Sequence, residues 1–487
     1  MSNKNDLLKS RIVQGFSTLI VREFFIKIFS LIGQIFLARL LFPSDFGIYV
    51  IIVFIIGLFG LFSDVGLSLA IIQHKNEPTQ GELSSVFFLK TLLSLILIAI
   101  IWLIAPFVKN FYPTFVDVNV TMLRVFSITL LLASFRSIPI SLLERKIKYN
   151  LISLIDIAGV AVYYVTALFA AFFNFGVWSF IIGAVIKEAV ETIILYAVQP
   201  FLPKIILSIR SIKTMLRFGF YIQGNSLASF LGSSIAPVIG GRMFGPYGVG
   251  LLDFAFNIGS LPTTIGINFG RVAFAGYSRI QKQNKLLSSS ISHSISMLSI
   301  MLYIFPVIIF SFAGQIIPFV FSAKWTPAVP ALYWYTAITF FLPVISPLGQ
   351  VILAIGKSKV IFWSTFISAI FGWIGAYLLV QVLGLLGIAI VYFFTILFLF
   401  IFYIAILKKN GFNFHIISIL FPKLIATLIA IIFSVCMNFV LPGDTYVLII
   451  KLLLSTLTYL FMMYIFAKKD FLEFTKLIIS WIKLKKI

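Results

Sequence analysis

Long apolar runs separated by short polar segments dominate this chain. Each run is long enough to cross about 30 Å of hydrocarbon as a helix, and none shows the alternation of a barrel strand. The predicted spans are residues 17–41, 48–72, 84–108, 118–143, 151–173, 176–198, 215–239, 249–270, 288–313, 329–355, 360–383, 385–407, 418–441 and 446–467. The pattern therefore predicts an all-α integral membrane protein with fourteen transmembrane helices.

Two recurring motifs indicate that the chain is duplicated. The first recurs at an offset of 203 positions, matching Arg39, Pro43 and Gly47 to Arg242, Pro246 and Gly250. The second recurs at an offset of 211, matching Lys146, Lys148 and Gly176 to Lys357, Lys359 and Gly387. These matches predict two homologous six-helix lobes followed by a C-terminal helix pair. Because each lobe has an even number of spans, the repeats are parallel, and we expect a cavity between them.

The domain boundaries follow from the spans and from the basic segments that join them. We predict an N-terminal lobe (1–200), an interfacial linker helix (201–217), a C-terminal lobe (218–410), spans 13 and 14 (411–467) and an amphipathic cytoplasmic tail (468–487). The linker and the tail interleave apolar and basic side chains, which is typical of helices lying on an anionic membrane surface.

Composition and charge agree with a membrane protein. A chain that is 61% hydrophobic and 11% charged has too few polar side chains to cover a soluble globule. With the N-terminus inside, 26 of the 37 basic residues fall in inward segments and 4 in outward loops. This asymmetry predicts that both termini are cytoplasmic. It also explains the net charge of +22 without nucleic acid as a partner.

Ionisable side chains inside the first six predicted spans are the candidate site. The candidate substrate-binding residues are the basic ones, Arg22, Lys27, Lys90, Arg124, Arg136 and Lys187. The candidate residues for coupling to Na⁺ or H⁺ are the acidic ones, Glu23, Asp64, Asp156, Glu188 and Glu191. Spans 7–12 carry little beyond Asp253, and Lys451 in span 14 is close enough to the outer end to snorkel.

Most of these charges also have a purely structural explanation. The sequence allows four ion pairs, Glu23 with Lys27, Lys187 with Glu191, Asp64 with Lys90, and Arg136 with Asp156. Arg22, Arg124 and Glu188 would then lack an obvious partner. Charges at bilayer depth are costly and tend to face a wet cavity or a partner. Because the charges are confined to one half, we favour a net cationic cavity that suits an anionic substrate, with arginine preferred for phosphate.

Other chemistries find little support in the sequence. His74, His293 and His415 lack metal-ligand spacing, and no phosphate-binding Walker loop is present, so we expect no metal and no cofactor. A membrane-embedded glycosyltransferase or ligase would need an outward loop with catalytic carboxylates, and the outward loops are short. A cation-coupled multidrug exporter would favour acidic residues and usually has twelve spans.

The run 37–49 (LARLLFPSDFGIY), followed by Asp64-Val65-Gly66-Leu67 and Ile71-Ile72-Gln73, resembles the opening of bacterial polysaccharide-export flippases. These are Wzx-like, O-antigen-type transporters of the multidrug/oligosaccharidyl-lipid/polysaccharide superfamily. The resemblance implies movement of an undecaprenyl-diphosphate-linked oligosaccharide from the cytoplasmic to the outer leaflet by alternating access. It also implies that the cationic cavity holds the diphosphate and the sugar.

The same resemblance implies the protein's surroundings. We expect a multi-pass protein of the bacterial inner membrane that acts as a transporter and not as an enzyme. Its partners would be the lipid-linked oligosaccharide, membrane lipids, a polysaccharide polymerase and other assembly proteins. The multidrug exporter of the same superfamily, and a glycosyltransferase or ligase, are the alternative functions.

Overall fold

The computed structural model is helical, and it describes most of the chain. The described residues are 22–23, 25–64, 66–73, 76–204, 206, 224, 226–412, 414–441 and 445–484, and the side chains at 445, 478 and 481–484 are not described. These ranges contain no β-strand, as the apolar pattern predicted. Contacts between Cα atoms divide the chain into unit 1, residues 1–250, and unit 2, residues 251–487.

Unit 1 consists of helices joined by short turns. Its helices are α1 (25–40), α2 (Pro43–Asp64), α3 (Leu67–Gln73), α4 (Gln80–Ile104), α5 (Val108–Phe111), α6 (Asp117–Phe126), α7 (Ile128–Arg145), α8 (Tyr149–Phe172), α9 (Trp178–Val198), α10 (226–233) and the first part of α11 (Gly241–Gly259). The helix α11 contains a break at Gly245, whose φ of 64° is the left-handed region that favours glycine. The second copy of the duplicated motif therefore contains a break in the helix, which lies between the predicted spans 215–239 and 249–270.

Unit 2 is also built from helices. Its remaining helices are α12 (Leu261–Ile280), α13 (Asn284–Leu302), α14 (Ile304–Val320), α15 (Val329–Ala337), α16 (Leu342–Ala354), α17 (Ser358–Leu383), α18 (Leu386–Lys409), α19 (Ile416–Val440), α20 (Thr445–Phe466) and α21 (Lys468–Leu484). The predicted tail from residue 468 is thus a separate helix. The structure describes 201–204 and 206 of the predicted linker at 201–217, and the rest of the linker lies outside the described residues.

The described helices that are long and apolar enough to cross a membrane number ten. A bent pair, Ala323–Phe340 with Leu342–Ala354 at an angle of 53°, makes eleven. The protein is therefore a multi-pass membrane protein, and the count of fourteen stays a prediction. Two further helices are not among these ten. Trp178–Val198, in the predicted span 176–198, carries three charged residues, and Leu261–Ile280, which extends beyond the predicted span 249–270, carries Arg271 and Arg279.

The two copies of the duplicated motif contact each other in unit 1. A Cβ atom on Gly47 would overlap the carbonyl oxygen of Pro246, and a Cβ atom on Gly250 would overlap the carbonyl oxygen of Pro43. The contact is therefore reciprocal, with equivalent residues exchanging roles. Since only glycine permits so close a backbone approach, the paired positions explain why both copies hold a glycine there.

We expect Gly47→Ala to destabilise the protein, because the added methyl group overlaps backbone that cannot rotate away. Overpacking of this kind costs about 1–3 kcal/mol. The matched control is Gly232→Ala in α10, where nothing lies within 4 Å of the added Cβ. Alanine in an open helical position stabilises by about 0.5–1 kcal/mol. Thermal unfolding in detergent should therefore give shifts of opposite sign, and equal shifts would contradict the reciprocal contact.

Buried lysines connect the C-terminal helices α19, α20 and α21 of unit 2 with each other and with α13. Lys423 of α19 is 1% exposed and donates to Asp470 of α21, which also accepts a hydrogen bond of 2.6 Å from Ser296 of α13. At the other end of α19, Asn438 Oδ1 accepts a hydrogen bond of 3.2 Å from Lys451 of α20, which is also 1% exposed. The expectation that Lys451 snorkels was wrong, because its amine is held inside the protein by α19.

The Lys423–Asp470 pair gives this junction a pH dependence. Burial by itself would raise the pKa of the Asp470 carboxyl. The hydrogen bonds from Lys423 and Ser296 and the charge of Lys423 outweigh it, and the pKa lies below the ordinary 3.8. A depressed native pKa means that the carboxylate contributes stability above pH 3.8, and that this contribution is lost as the pH falls through the native pKa.

We expect Asp470→Asn to lower stability by about 1–3 kcal/mol at pH 7, because it leaves the buried Lys423 amine without its counter-charge. The melting temperature in detergent measures this effect. The difference from the unmodified protein should shrink as the pH falls below 3.8. The control is Glu473→Gln, since the pair of Glu473 with His293 is about half exposed and contributes little. A difference that is constant with pH would rule out the ionised pair.

Candidate functional site

Seven charged side chains meet in unit 1, and we call them the charged cluster. They are Arg22, Glu23, Arg136, Asp156, Lys187, Glu188 and Glu191. They come from the segment just before α1 and from α7, α8 and α9. The cluster thus brings together seven of the eleven residues that the sequence singled out.

Two arginines organise the charged cluster. Arg22 lies 2.8 Å from the carboxylate of Glu23 and 3.0 Å from that of Asp156. Arg136 lies 3.1 Å from the carboxylate of Glu188 and forms an ion pair with Glu191 as well. Each guanidinium group therefore bridges two carboxylates, which uses the two edges of its planar fork.

Lys187 completes the charged cluster on α9. Its Nζ atom lies 3.7 Å from Glu191, one helical turn away, and 3.8 Å from Glu188. The i,i+4 spacing predicted the first of these pairs, and the structure confirms it. Glu188, for which the sequence suggested no partner, pairs with both Arg136 and Lys187.

A glycine on the neighbouring helix makes room for the cluster. A Cβ atom on Gly159 of α8 would overlap the carboxylate of Glu191. Glu191 consequently lies against the α8 backbone with 3% of its side chain exposed. A cavity of about 10 Å³ beside it is lined by Arg136, Asp156, Glu191 and four apolar side chains. That volume is near the lower limit for a single water molecule.

The formal charge of the cluster differs from the sequence expectation. Its three cations face four carboxylates, which leaves a net charge of −1. The cluster is therefore not a net cationic set. The two arginines are nevertheless only partly buried, since 22% of the Arg22 side chain and 23% of the Arg136 side chain are exposed.

The individual ion pairs differ in part from those that the sequence allowed. Glu23 pairs with Arg22 and not with Lys27, which is exposed and forms no ion pair with a described residue. Asp156 pairs with Arg22, and no ion pair joins it to Arg136 in the described chain. Sequence spacing identified the charges but not the partners, because helix rotation decides which side chains face each other.

Lys90 forms a pair outside the charged cluster. It donates to Asp64 of α2, as the sequence suggested, and to the hydroxyl of Ser68 of α3 at 2.9 Å. The Lys90 side chain is only 6% exposed. A capping box at Thr79 and Glu82 begins α4 and so fixes the register that points Lys90 inward. Within this pair Lys90 is buried, whereas the side chain of Asp64 is 39% exposed.

Arg124 lies well away from the charged cluster. It is on α6, twelve residues before Arg136 in the same candidate span, which is about 18 Å at 1.5 Å per residue. Its Nη2 atom donates to the carbonyl oxygen of Trp102 at 3.2 Å. The structure therefore does not bring Arg124 together with the other candidate substrate-binding residues.

Unit 2 contains a carboxylate that was not among the candidate site residues. Asp253 of α11 accepts a hydrogen bond of 2.8 Å from Asn257 and forms no ion pair with any described residue. Tyr335 lies beside it, and the rings of Tyr335 and Tyr392 are 5.6 Å apart. An intramembrane carboxylate without a basic partner is a signal that the sequence carries, since spans 7–12 hold almost no other charge.

Known proteins resemble this chain over most of its length. Residues 36–330 match the family model described as polysaccharide biosynthesis protein. The teichuronic acid biosynthesis protein TuaB of Bacillus subtilis (strain 168) is 24% identical over 334 residues, which cover 68% of each chain. The succinoglycan biosynthesis transport protein ExoT of Rhizobium meliloti (strain 1021) is 21% identical over 335 residues, covering 69% of this chain and 67% of ExoT.

The fold is also known from a solved structure. The lipid II flippase MurJ, in an inward closed conformation, matches with a TM-score of 0.78 over 93% of this chain and 99% of MurJ. The two sequences are 17% identical, so this likeness concerns the fold. The all-helical architecture predicted from the apolar runs is therefore one that a membrane transporter adopts.

We expect Arg136→Met to destabilise the protein by about 3 kcal/mol, because it removes the main counter-charge of the buried Glu191. The double variant Arg136→Met/Glu191→Met should lose less than the sum of the single losses, with a coupling of about 0.5–3 kcal/mol. Thermal unfolding in detergent gives both values. Lys27→Met is the matched control, and we expect no change. Additive losses would show that Arg136 and Glu191 do not depend on each other.

Proposed function

The chain belongs to the polysaccharide biosynthesis protein family, and we propose that it is a flippase for an undecaprenyl-diphosphate-linked oligosaccharide. In this proposal the lipid-linked sugar moves from the cytoplasmic to the outer leaflet by alternating access of the two lobes. The names of TuaB, ExoT and MurJ, which concern polymer biosynthesis, transport and flipping, support this class of substrate and process.

The observation that carries the proposal is the partial exposure of the cations in the charged cluster. The exposed fractions are 22% for Arg22, 23% for Arg136 and 31% for Lys187, whereas Glu191, which pairs with Arg136 and Lys187, is 3% exposed. Complete burial of an ion pair costs the desolvation of both charges, which is repaid only when the geometry is good and the remaining hydrogen bonds are made. Guanidinium groups that remain accessible can instead exchange a carboxylate for a diphosphate, whose oxygens fit the same planar fork.

Exchange of partners also provides a route to ion coupling. A carboxylate that binds H⁺ or Na⁺ loses its charge or its free lone pairs, and its arginine is then available to the diphosphate. Glu23, Asp156, Glu188 and Glu191 occupy this position in the charged cluster, and Asp64 does so beside Lys90. We include Asp253 in this proposal, because its carboxylate has no cationic partner in the described chain.

We expect Arg22→Ala and Arg136→Ala to slow leaflet transfer of the lipid-linked oligosaccharide at least about tenfold, which corresponds to the loss of one charge-assisted contact. The measurement is transfer in proteoliposomes that contain the full chain and the lipid-linked oligosaccharide. Repeating it with the H⁺ and Na⁺ gradients collapsed tests the coupling. Transfer that is independent of both gradients would remove the coupling proposal and leave the flippase proposal intact.

The controls separate transport from folding. Lys109→Ala removes a basic residue that pairs with Asp117 in an outward loop, and transfer should not change. Arg136→Ala/Glu191→Ala relieves the unpaired carboxylate, so it should recover stability without recovering transfer. Transfer at the unmodified rate in both arginine variants would contradict the role of the charged cluster.

A cation-coupled multidrug exporter of the same superfamily is the second candidate function. The net charge of −1 on the charged cluster favours it, since carboxylates attract organic cations. The same proteoliposomes can be offered a lipophilic organic cation in place of the lipid-linked sugar. Export of the cation, together with no transfer of the lipid-linked oligosaccharide, would replace the flippase by the exporter.

The setting of the protein follows from the proposed transport. We propose that it lies in the bacterial inner membrane with both termini cytoplasmic and works beside a polysaccharide polymerase and other assembly proteins. The 26 inward against 4 outward basic residues support this orientation. Labelling of single cysteines placed near each terminus, in intact and in opened cells, tests it directly.

A further inference from the structure

We propose that two arginine–aromatic pairs on unit 1 bind phosphate groups of lipids at the outer surface of the membrane. In the first, the guanidinium carbon of Arg124 lies 5.9 Å from the centre of the Trp102 ring, and Nη2 donates to the Trp102 carbonyl. In the second, the guanidinium carbon of Arg242 lies 5.0 Å from the Phe111 ring, and Nη1 donates to the Phe111 carbonyl at 2.8 Å. We call them the Trp102 site and the Phe111 site.

The two sites lie at the same end of unit 1. Trp102 is in the last turn of α4, and the short turn Ala105–Phe107 leads directly into α5, which ends at Phe111. The charge pattern predicts that this end is outward, because Lys109 and Arg242 belong to the few basic residues in outward loops. Both arginines therefore lie where the sequence otherwise avoids positive charge.

Apolar side chains around the sites are exposed, which places the sites beside lipid. Trp102 is 48% exposed and Phe111 is 40% exposed, while Leu103 and Phe107 next to them are 73% and 66% exposed. Exposed aromatic rings at the end of a membrane helix are typical of the level of the lipid headgroups. A side chain that reaches from this position meets lipid phosphate before it meets bulk water.

Both guanidinium groups keep unused hydrogen-bond donors. An arginine has five N–H groups, and each of these two donates one described hydrogen bond, to the carbonyl of its aromatic neighbour. Neither forms an ion pair with a described residue, and the nearby Asp117 is already paired with Lys109. The Arg124 Nε atom is buried without a hydrogen-bond partner. Each site thus presents a positive charge and free N–H groups without a counter-ion.

The geometry fits phosphate better than a lone carboxylate or a halide. The aromatic ring and the carbonyl fix the plane of the guanidinium group at low entropic cost, and its free edge can donate two parallel hydrogen bonds to a phosphate. Two sources share this chemistry. One is an ordinary phospholipid of the outer leaflet, and the other is the diphosphate of the transported lipid on arrival, which rests on the proposed function.

Native mass spectrometry of the purified full chain tests the proposal without any transport step. The probes are phosphatidylglycerol, undecaprenyl diphosphate and dioleoylglycerol, which has no phosphate. We expect Arg124→Ala/Arg242→Ala to weaken retention of both phosphate-bearing lipids at least about tenfold and to leave dioleoylglycerol unchanged. The control Lys109→Ala should bind like the unmodified protein, since Lys109 is already paired with Asp117.

A second variant distinguishes a loss of phosphate binding from a folding defect. Arg124→Lys/Arg242→Lys keeps both charges but removes the planar forks, so retention should fall between the unmodified protein and the alanine variant. A loss confined to undecaprenyl diphosphate assigns the sites to the transported lipid, and an equal loss for both assigns them to lipid phosphate in general. Unchanged retention of both phosphate lipids, or an equal loss of dioleoylglycerol, would overturn the proposal.

Discussion

A charge inside hydrocarbon needs a partner, and this requirement organises the interior of the protein. Every described lysine or arginine in the charged cluster faces carboxylates, and the buried Lys90 and Lys423 each face one. Lys451 is held by an amide where no described carboxylate is available. Because desolvated charges are costly, these contacts fix which helix faces meet. The arrangement of α7, α8 and α9 follows from them as much as from apolar packing.

The duplicated motif shows a second constraint, which is the close approach of backbone to backbone. Gly47 and Gly250 each make room for a carbonyl oxygen of the other copy, so that two equivalent helical segments lie against each other. Apolar helices in lipid gain little from burying more apolar surface. Small residues that permit contact therefore carry much of the specificity, as Gly159 also does beside Glu191.

The apolar runs were sufficient to predict the helical class, because a membrane leaves the backbone few alternatives. They were less informative about breaks within a span, since the turn at Ser127 divides the predicted span 118–143, whereas the break at Gly245 lies between the predicted spans 215–239 and 249–270. The intramembrane charges identified the candidate residues, including seven that meet. Their partners depended on helix rotation, which a pattern of spacing does not contain. Arg124 was grouped with the others by depth, and only the structure shows its distance from Arg136 along the helix.

From the sequence alone, ion pairing and substrate binding were alternative roles for the intramembrane charges. In the proposed function the residues of the charged cluster have both roles. In the Lys90–Asp64 pair the lysine is 6% exposed and the carboxylate 39% exposed. Arg22 and Arg136 are paired with carboxylates and are 22% and 23% exposed, so under the proposed function these carboxylates would compete with an incoming anion. In the proposed mechanism this competition is useful. The carboxylates keep the arginines ordered in the empty transporter, prevent the binding of weakly charged anions, and yield to a diphosphate that offers more than one negative oxygen to the same fork.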